Sequence, residues 1–192
     1  MNLPLFASLR HWSLPLALVL ATLLAQSLGS LETLRLERGL WLEQPWRLVT
    51  GQLMHLGWIH LAMNLAGLGV VWLLFARHLR AWQWWLTVLI CGAGVNLGLL
   101  AFSTSIDWYV GLSGILHGLL AAGALAGLRR DPLAIWILVI LAIKVLLEQF
   151  VGSDNLTGAL IGAPVIVDAH LYGALTGLLL ATLWRLTRRS HG

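Results

Sequence analysis

The sequence predicts an all-α membrane protein built on six transmembrane helices. Three observations predict it. Hydrophobic residues make up 59% of the 192-residue chain and charged residues only 10%. A soluble domain carries roughly 25% charged residues, so this chain cannot cover a water-facing surface. Its apolar residues fall into six runs near the length that crosses a bilayer, about 20 residues each. Its basic residues gather in alternate gaps between those runs. The six runs use up the length, so residues 1–192 are predicted to form a single membrane domain.

The first run, Leu14–Leu28, lacks a convincing cleavage site and is followed by five others, so it reads as a helix and not as a signal peptide. Residues 30–56 come next. They mix Leu34, Leu36, Leu40, Trp41, Leu42 and Trp46 with three Arg and three Glu, and are predicted to lie in the membrane interface. The remaining runs are Trp58–Ala76, Trp82–Phe102, Ser113–Leu128, Leu133–Leu147 and His170–Trp184. Trp46, Trp58, Trp82, Trp84, Trp85 and Trp108 stand near run ends, as an aromatic belt requires. Cys91 is alone, which excludes an internal disulfide, and reads as a small core residue.

The formal net charge is +4. Its distribution argues for topology and against nucleic-acid binding. Arg10, Arg77, Arg80, Arg129, Arg130, Arg185, Arg188 and Arg189 all fall on one side of a six-helix zigzag, and Asp107, Asp154 and Asp168 fall on the other. An excess of Lys and Arg marks the cytoplasmic face. Both termini are therefore predicted to be cytoplasmic.

Ionisable and strongly polar side chains are costly in hydrocarbon and are functional candidates there. His60 and Asn64 in the second run, Ser113 at the head of the fourth and His170 at the head of the sixth lie at similar depth. Ser113 sits between Gly111 and Gly114, which permit a tight turn. The free amides of a helix start can face a developing oxyanion. His170, Gly173 and Gly177 share a helix face, and Gly114 and Gly118 line another. Two small-residue stripes allow the close approach that would bring His170 to Ser113 as a nucleophile–base pair. Taken alone, a serine in a membrane helix is more often an interhelical hydrogen bonder, and a lone histidine there can be a packing residue. Asp168 is two residues from His170, on a different face, so the sequence offers no orienting acid. His60 and Asn64 are i, i+4 and could donate to an oxyanion, or simply staple two helices. His55 reads as structural. His117, one turn after Ser113, could pack on His170 or serve as an alternative base. Lys144 and Glu148 read as a local ion pair, with gating or substrate reading as the other possibility.

These residues resemble a known family. Trp46-Arg47-Leu48-Val49-Thr50, His55 and His60-Leu61-Ala62-Met63-Asn64 are similar to the first loop and second helix of rhomboid proteases. Gly111-Leu112-Ser113-Gly114 resembles their nucleophile motif, and Ala169-His170 with Gly173 their base motif. The resemblance runs from about residue 44 to 180. It implies a six-helix rhomboid bundle with a cavity open to the non-cytoplasmic side. It implies Ser113 as nucleophile, His170 as general base, and His60, Asn64 and the Ser113 amide as oxyanion donors. Gly111, Gly114, Gly173, Trp46 and Arg47 would support them. No metal or other cofactor is implied.

Where ordinary rhomboids place Tyr or Phe four residues after the nucleophile, this chain has His117. That departure resembles the rhombosortase branch. It implies a bacterial inner-membrane enzyme whose partners are the bilayer and membrane-anchored proteins with a C-terminal Gly-Gly-containing tail, an apolar helix and a basic end. Two other readings compete. One is a rhomboid-fold protein that binds membrane clients without cleaving them. The other is a metal or haem transporter using His55, His60, His117 and His170, but no acids suited to orient such ligands are evident at that depth.

Overall fold

The computed structural model of the protein describes residues 5–152 and 155–189. Asp154, predicted to lie in an outer loop, falls outside them. The helices are α1 (Leu5–Leu28), α2 (Leu31–Leu34), α3 (Arg47–Leu53), α4 (Trp58–Phe75), α5 (Ala81–Ala101), α6 (Ser113–Gly127), α7 (Leu133–Val151), α8 (Asn155–Ile161) and α9 (Val167–Arg189).

Helices stand at all six predicted runs. Four of them, α1, α4, α5 and α7, are long and apolar enough to cross a membrane. The apolar helix α6 has only 15 residues, about 22 Å at 1.5 Å per residue. The hydrocarbon layer is roughly 30 Å thick. Helix α9 has 23 residues but carries Asp168 at one end and Arg185, Arg188 and Arg189 at the other. The six-span expectation thus rests on length and composition for four helices only.

Helix α6 is the axis of the fold and packs against α4, α5, α7 and α9. Its buried positions are mostly glycine and alanine, among them Gly114, Gly118, Ala121, Ala122, Gly123 and Ala124. The tightest seam is with α9. A Cβ at Gly173 or Gly177 would collide with the carbonyls of Gly114 and Gly118. Such contact between small residues maximises dispersion where lipid removes the hydrophobic drive between helices. Helix α7 is the outlier. It packs on α6 and α9, with no comparable seam to α4.

The segment between α1 and α4 is built rather than loose. Leu36–Glu37 (β1) pairs antiparallel with Trp108–Tyr109 (β2), a small exception to the all-α prediction. Four residues are too few to show a strand period. Arg38 donates to the carbonyls of Leu99 at 2.5 Å, Leu100 at 2.7 Å, Ser103 at 2.8 Å and Ile106 at 2.9 Å. Those at the end of α5 lack helical partners. Arg47 is buried and binds Gln44 Oε1 at 2.7 Å and the carbonyls of Glu32 and Arg35 at 2.8 Å. Trp46 is half exposed, and its Nε1 donates to the Thr33 carbonyl at 3.4 Å. Gln52 and Asn96 join α3 to α5 at 2.9 Å. Trp84 corrects the belt expectation. It is fully buried, packs against Trp72 and donates to the Ala76 carbonyl. Its neighbours Trp82 and Trp85, on other faces of α5, remain exposed.

Candidate active site

Gly111 has φ +118°, a region that favours glycine, and a Cβ there would lie 2.9 Å from His60 Cε1. This turn delivers Ser113 as the first residue of α6. The first helical acceptor is the Leu112 carbonyl, taken by the Leu116 amide, so the Ser113 N–H lies in the first turn and has no helical partner. Tyr109 supports the turn. Its phenol is buried and donates to the Gly111 carbonyl at 2.7 Å. Burial pushes its pKa up to about 12, against the Gly114 amide and the Ser113 hydroxyl that lie beside it. It therefore stays a donor at any ordinary pH.

The α6–α9 seam places His170 Nε2 3.0 Å from Ser113 Oγ. The imidazole is nearly buried. Its other nitrogen, Nδ1, is 2.9 Å from Glu148 Oε2 on α7. A carboxylate only accepts, so Nδ1 carries the proton and the Nε2 lone pair faces Ser113. This corrects the expectation that no orienting acid is available. The Lys144–Glu148 pair is present, but it is not merely local, because Glu148 also reaches His170.

His117 lies flat on His170, with ring centroids 4.0 Å apart and planes at 12°. Its Nδ1–H donates to the Ser113 carbonyl at 2.7 Å, and its Nε2 accepts from Lys144 Nζ at 3.1 Å. Both nitrogens are engaged, so the structure gives His117 no free lone pair with which to act as an alternative base. His117, Glu148 and His170 offer ligand atoms within 4.8 Å of one another. The fit to a metal is poor. The Lys144 ammonium already contacts two of the three, and stacked parallel rings do not aim their lone pairs at one point.

On the opposite wall, the Leu56 amide donates to His60 Nδ1 at 3.3 Å. That bond fixes the tautomer with the proton on Nε2, the nitrogen that lies beside Gly111. Asn64 Nδ2 donates to the His60 carbonyl at 2.9 Å, and its Oδ1 is buried without a partner among the described residues. Asn64 Nδ2 has a second hydrogen for another acceptor. His55 stands outside the site, edge-on to His60 at 5.0 Å, with Nδ1 3.0 Å from the Leu53 carbonyl. Asp168 turns away from His170 to Ser103.

Ser113, His170, His60, Asn64, His117, Lys144 and Glu148 all line one cavity of about 660 Å³. Its walls come from α4, α6, α7 and α9, with Ser105–Val110, Thr157 and Ala163–Ile166 completing the lining. The sequence motifs named most of these residues. Tyr109 and the reach of Glu148 went unread. The only sequence signal for Glu148 was an acid four residues from Lys144 in an otherwise apolar run.

The Rhomboid domain family matches residues 42–186, the stretch that contains every residue of this cavity. The chain belongs to the rhomboid family. Among similar proteins, Rhomboid-like protein 11, chloroplastic, of Arabidopsis thaliana is 30% identical over 158 residues, covering 74% of this chain and 53% of that protein. The chain thus spans about half the length of that relative. The match takes in α3, the turn at Gly111 and the α6–α9 seam.

Proposed function

We propose that this chain is an intramembrane serine endopeptidase of the rhombosortase branch, working through Ser113 and His170. The observation that carries the reading is the 3.0 Å contact between Ser113 Oγ and His170 Nε2, in a cavity that also presents His60 and Asn64. As Ser113 Oγ attacks a peptide carbonyl carbon, its proton passes to His170 Nε2. The carbonyl oxygen becomes an oxyanion, held by the Ser113 amide, His60 Nε2–H and Asn64 Nδ2–H. The C–N bond breaks as the imidazolium returns that proton to the leaving amine. Water then attacks the acyl-serine with its proton going to His170, and the Ser113 Oγ–H is restored.

The short α6 supports an intramembrane reaction, because Ser113 at its head need not reach the bilayer surface. With six crossings both termini share one side, and the Arg clusters favour the cytoplasmic side of a bacterial inner membrane, with the cavity open to the outside. The sparse seam between α4 and α7 is where an apolar substrate tail would enter. His117 and the rhombosortase pattern favour exported proteins with C-terminal Gly-Gly-containing tails, since glycines unwind readily.

The test is labelling of detergent-solubilised protein with a fluorophosphonate, together with release of a reporter carrying such a tail. Wild type is expected to label, and Ser113→Ala and His170→Ala to lose labelling by at least about 100-fold. Replacing the reporter's Gly-Gly by Leu-Leu is expected to slow its release. A folded wild type that neither labels nor releases would favour client binding without cleavage. Labelling that survives Ser113→Ala would overturn the choice of nucleophile.

A further inference from the structure

Lys144 and Glu148 are i, i+4 on α7, a spacing worth only a few tenths of a kcal/mol on an exposed helix. Here their surroundings differ. The Glu148 side chain is 13% exposed. Its Oε1 takes Lys144 Nζ, and its Oε2 lies 2.9 Å from His170 Nδ1. Lys144 Nζ is also 3.1 Å from His117 Nε2, and His117 Nδ1 is 2.7 Å from the Ser113 carbonyl. The contacts close a ring that leaves Ser113 through its hydroxyl, runs through His170, Glu148, Lys144 and His117, and returns to the Ser113 carbonyl. Three helices contribute to it.

We infer that Glu148 is a positioning residue that extends the Ser113–His170 pair into a three-membered relay, and that Lys144, tied to His117, keeps its carboxylate ionised and aimed. The inference rests on the protease reading above. A lone carboxylate at this depth would be costly. Lys144 offsets that cost, and its second contact fixes which oxygen is left for His170. The groups facing His170 are Ser113 and His117 from α6, Lys144 and Glu148 from α7, and His60 from α4. Of these, only Glu148 contacts Nδ1. Proton transfer leaves the Nδ1 hydrogen on His170 and Glu148 ionised throughout.

A neutral isostere separates this role from simple packing. In Glu148→Gln, Lys144 can only donate and so selects the amide oxygen. The amide N–H then faces His170 Nδ1, which becomes an acceptor. The ring proton moves to Nε2 and blocks the base. Removing Lys144 as well frees the amide to turn its oxygen back to Nδ1.

The experiment measures fluorophosphonate labelling of the full chain in detergent, as maximal rate and half-saturating probe concentration. Glu148→Gln is expected to lower the maximal rate by about 100-fold or more, with half-saturation changed less than about twofold. Lys144→Met in the Glu148→Gln background is expected to restore about tenfold or more of that rate. A structural ion pair predicts no such rescue. The inference is overturned if Glu148→Gln labels within about threefold of wild type, or if adding Lys144→Met gives no gain. Should Glu148→Gln not fold, Glu148→Asp serves instead. Its carboxylate is drawn back from Nδ1, so the rate is expected to fall about tenfold in folded protein; an unchanged rate overturns the inference. Labelling that persists in Ser113→Ala sinks the protease reading and the relay together. Labelling at Ser113 that ignores Glu148→Gln sinks the relay alone.

Discussion

His55 is 1% exposed and its Nε2 has no partner among the described residues. Burial, and then the nearby His60, lower its pKa from 6.5 to about 4, against the Leu53 carbonyl, which raises it. Between those values the unfolded chain binds a proton that the folded chain refuses. Stability therefore falls as pH drops through that window, by about 3–4 kcal/mol at most, at roughly 1.4 kcal/mol per pH unit. Thermal unfolding in detergent should show a lower Tm at pH 4.5 than at pH 7. In His55→Asn, whose amide can keep the bond to Leu53 without titrating, the difference should shrink. An equal fall in both proteins would assign the effect to other groups. Residues of this kind show the limit of sequence reading at the finest scale. Ser113, His170, His60 and Asn64 were legible because polar side chains are anomalous in apolar runs. Glu148's contact with His170 was not, because helical spacing reports neighbours on one helix and says nothing across 22 residues to another.

Helix α9 depends on having no side chain where it meets α6. A methyl group at Gly173 would meet the Gly114 carbonyl, which is backbone and cannot yield. Gly173→Ala should therefore cost about 1–3 kcal/mol by overpacking and draw His170 away from Ser113. Gly69 on α4 has nothing within 4 Å of a built Cβ, so Gly69→Ala should be neutral or stabilising by up to about 1 kcal/mol. The pair can be compared by thermal unfolding and by serine labelling. Equal effects would mean that helix propensity, and not the seam, governs both. The six runs gave the principal helices, but not their full extent. Helix α1 covers Leu5–Leu28, α7 continues to Val151 and α9 covers Val167–Arg189. Hydropathy finds the apolar middle, while helical hydrogen bonding continues through polar turns at either end. Helices α3 and α8, at seven residues each, are too short to establish a period.

For the whole molecule, the charge pattern predicts an orientation that can be tested without first removing a native cysteine. Cys91 is the single cysteine and is fully buried, so a new surface cysteine reports alone. Glu43 between β1 and α3 and Arg130 between α6 and α7 are both exposed. In intact cells a membrane-impermeant maleimide should label Glu43→Cys readily. It should reach Arg130→Cys only after permeabilisation. The opposite pattern would invert the proposed topology and turn the cavity mouth toward the cytoplasm. On the predicted inner face Arg77 pairs with Asp131 at 2.9 Å, and His78 Nε2 lies 3.4 Å from the same carboxylate, while at the other end Arg38 caps backbone carbonyls.

The Arg38 clamp has a consequence for synthesis. A ribosome makes Leu36, Glu37 and Arg38 more than sixty residues before the carbonyls and the strand that receive them, which span Leu99 to Tyr109. Throughout that interval the guanidinium must stay hydrated or borrow lipid phosphate. The segment between α1 and α4 thus cannot reach its final shape while α1 and α4 are being inserted, and it locks only once α5 and the residues up to Tyr109 have been made.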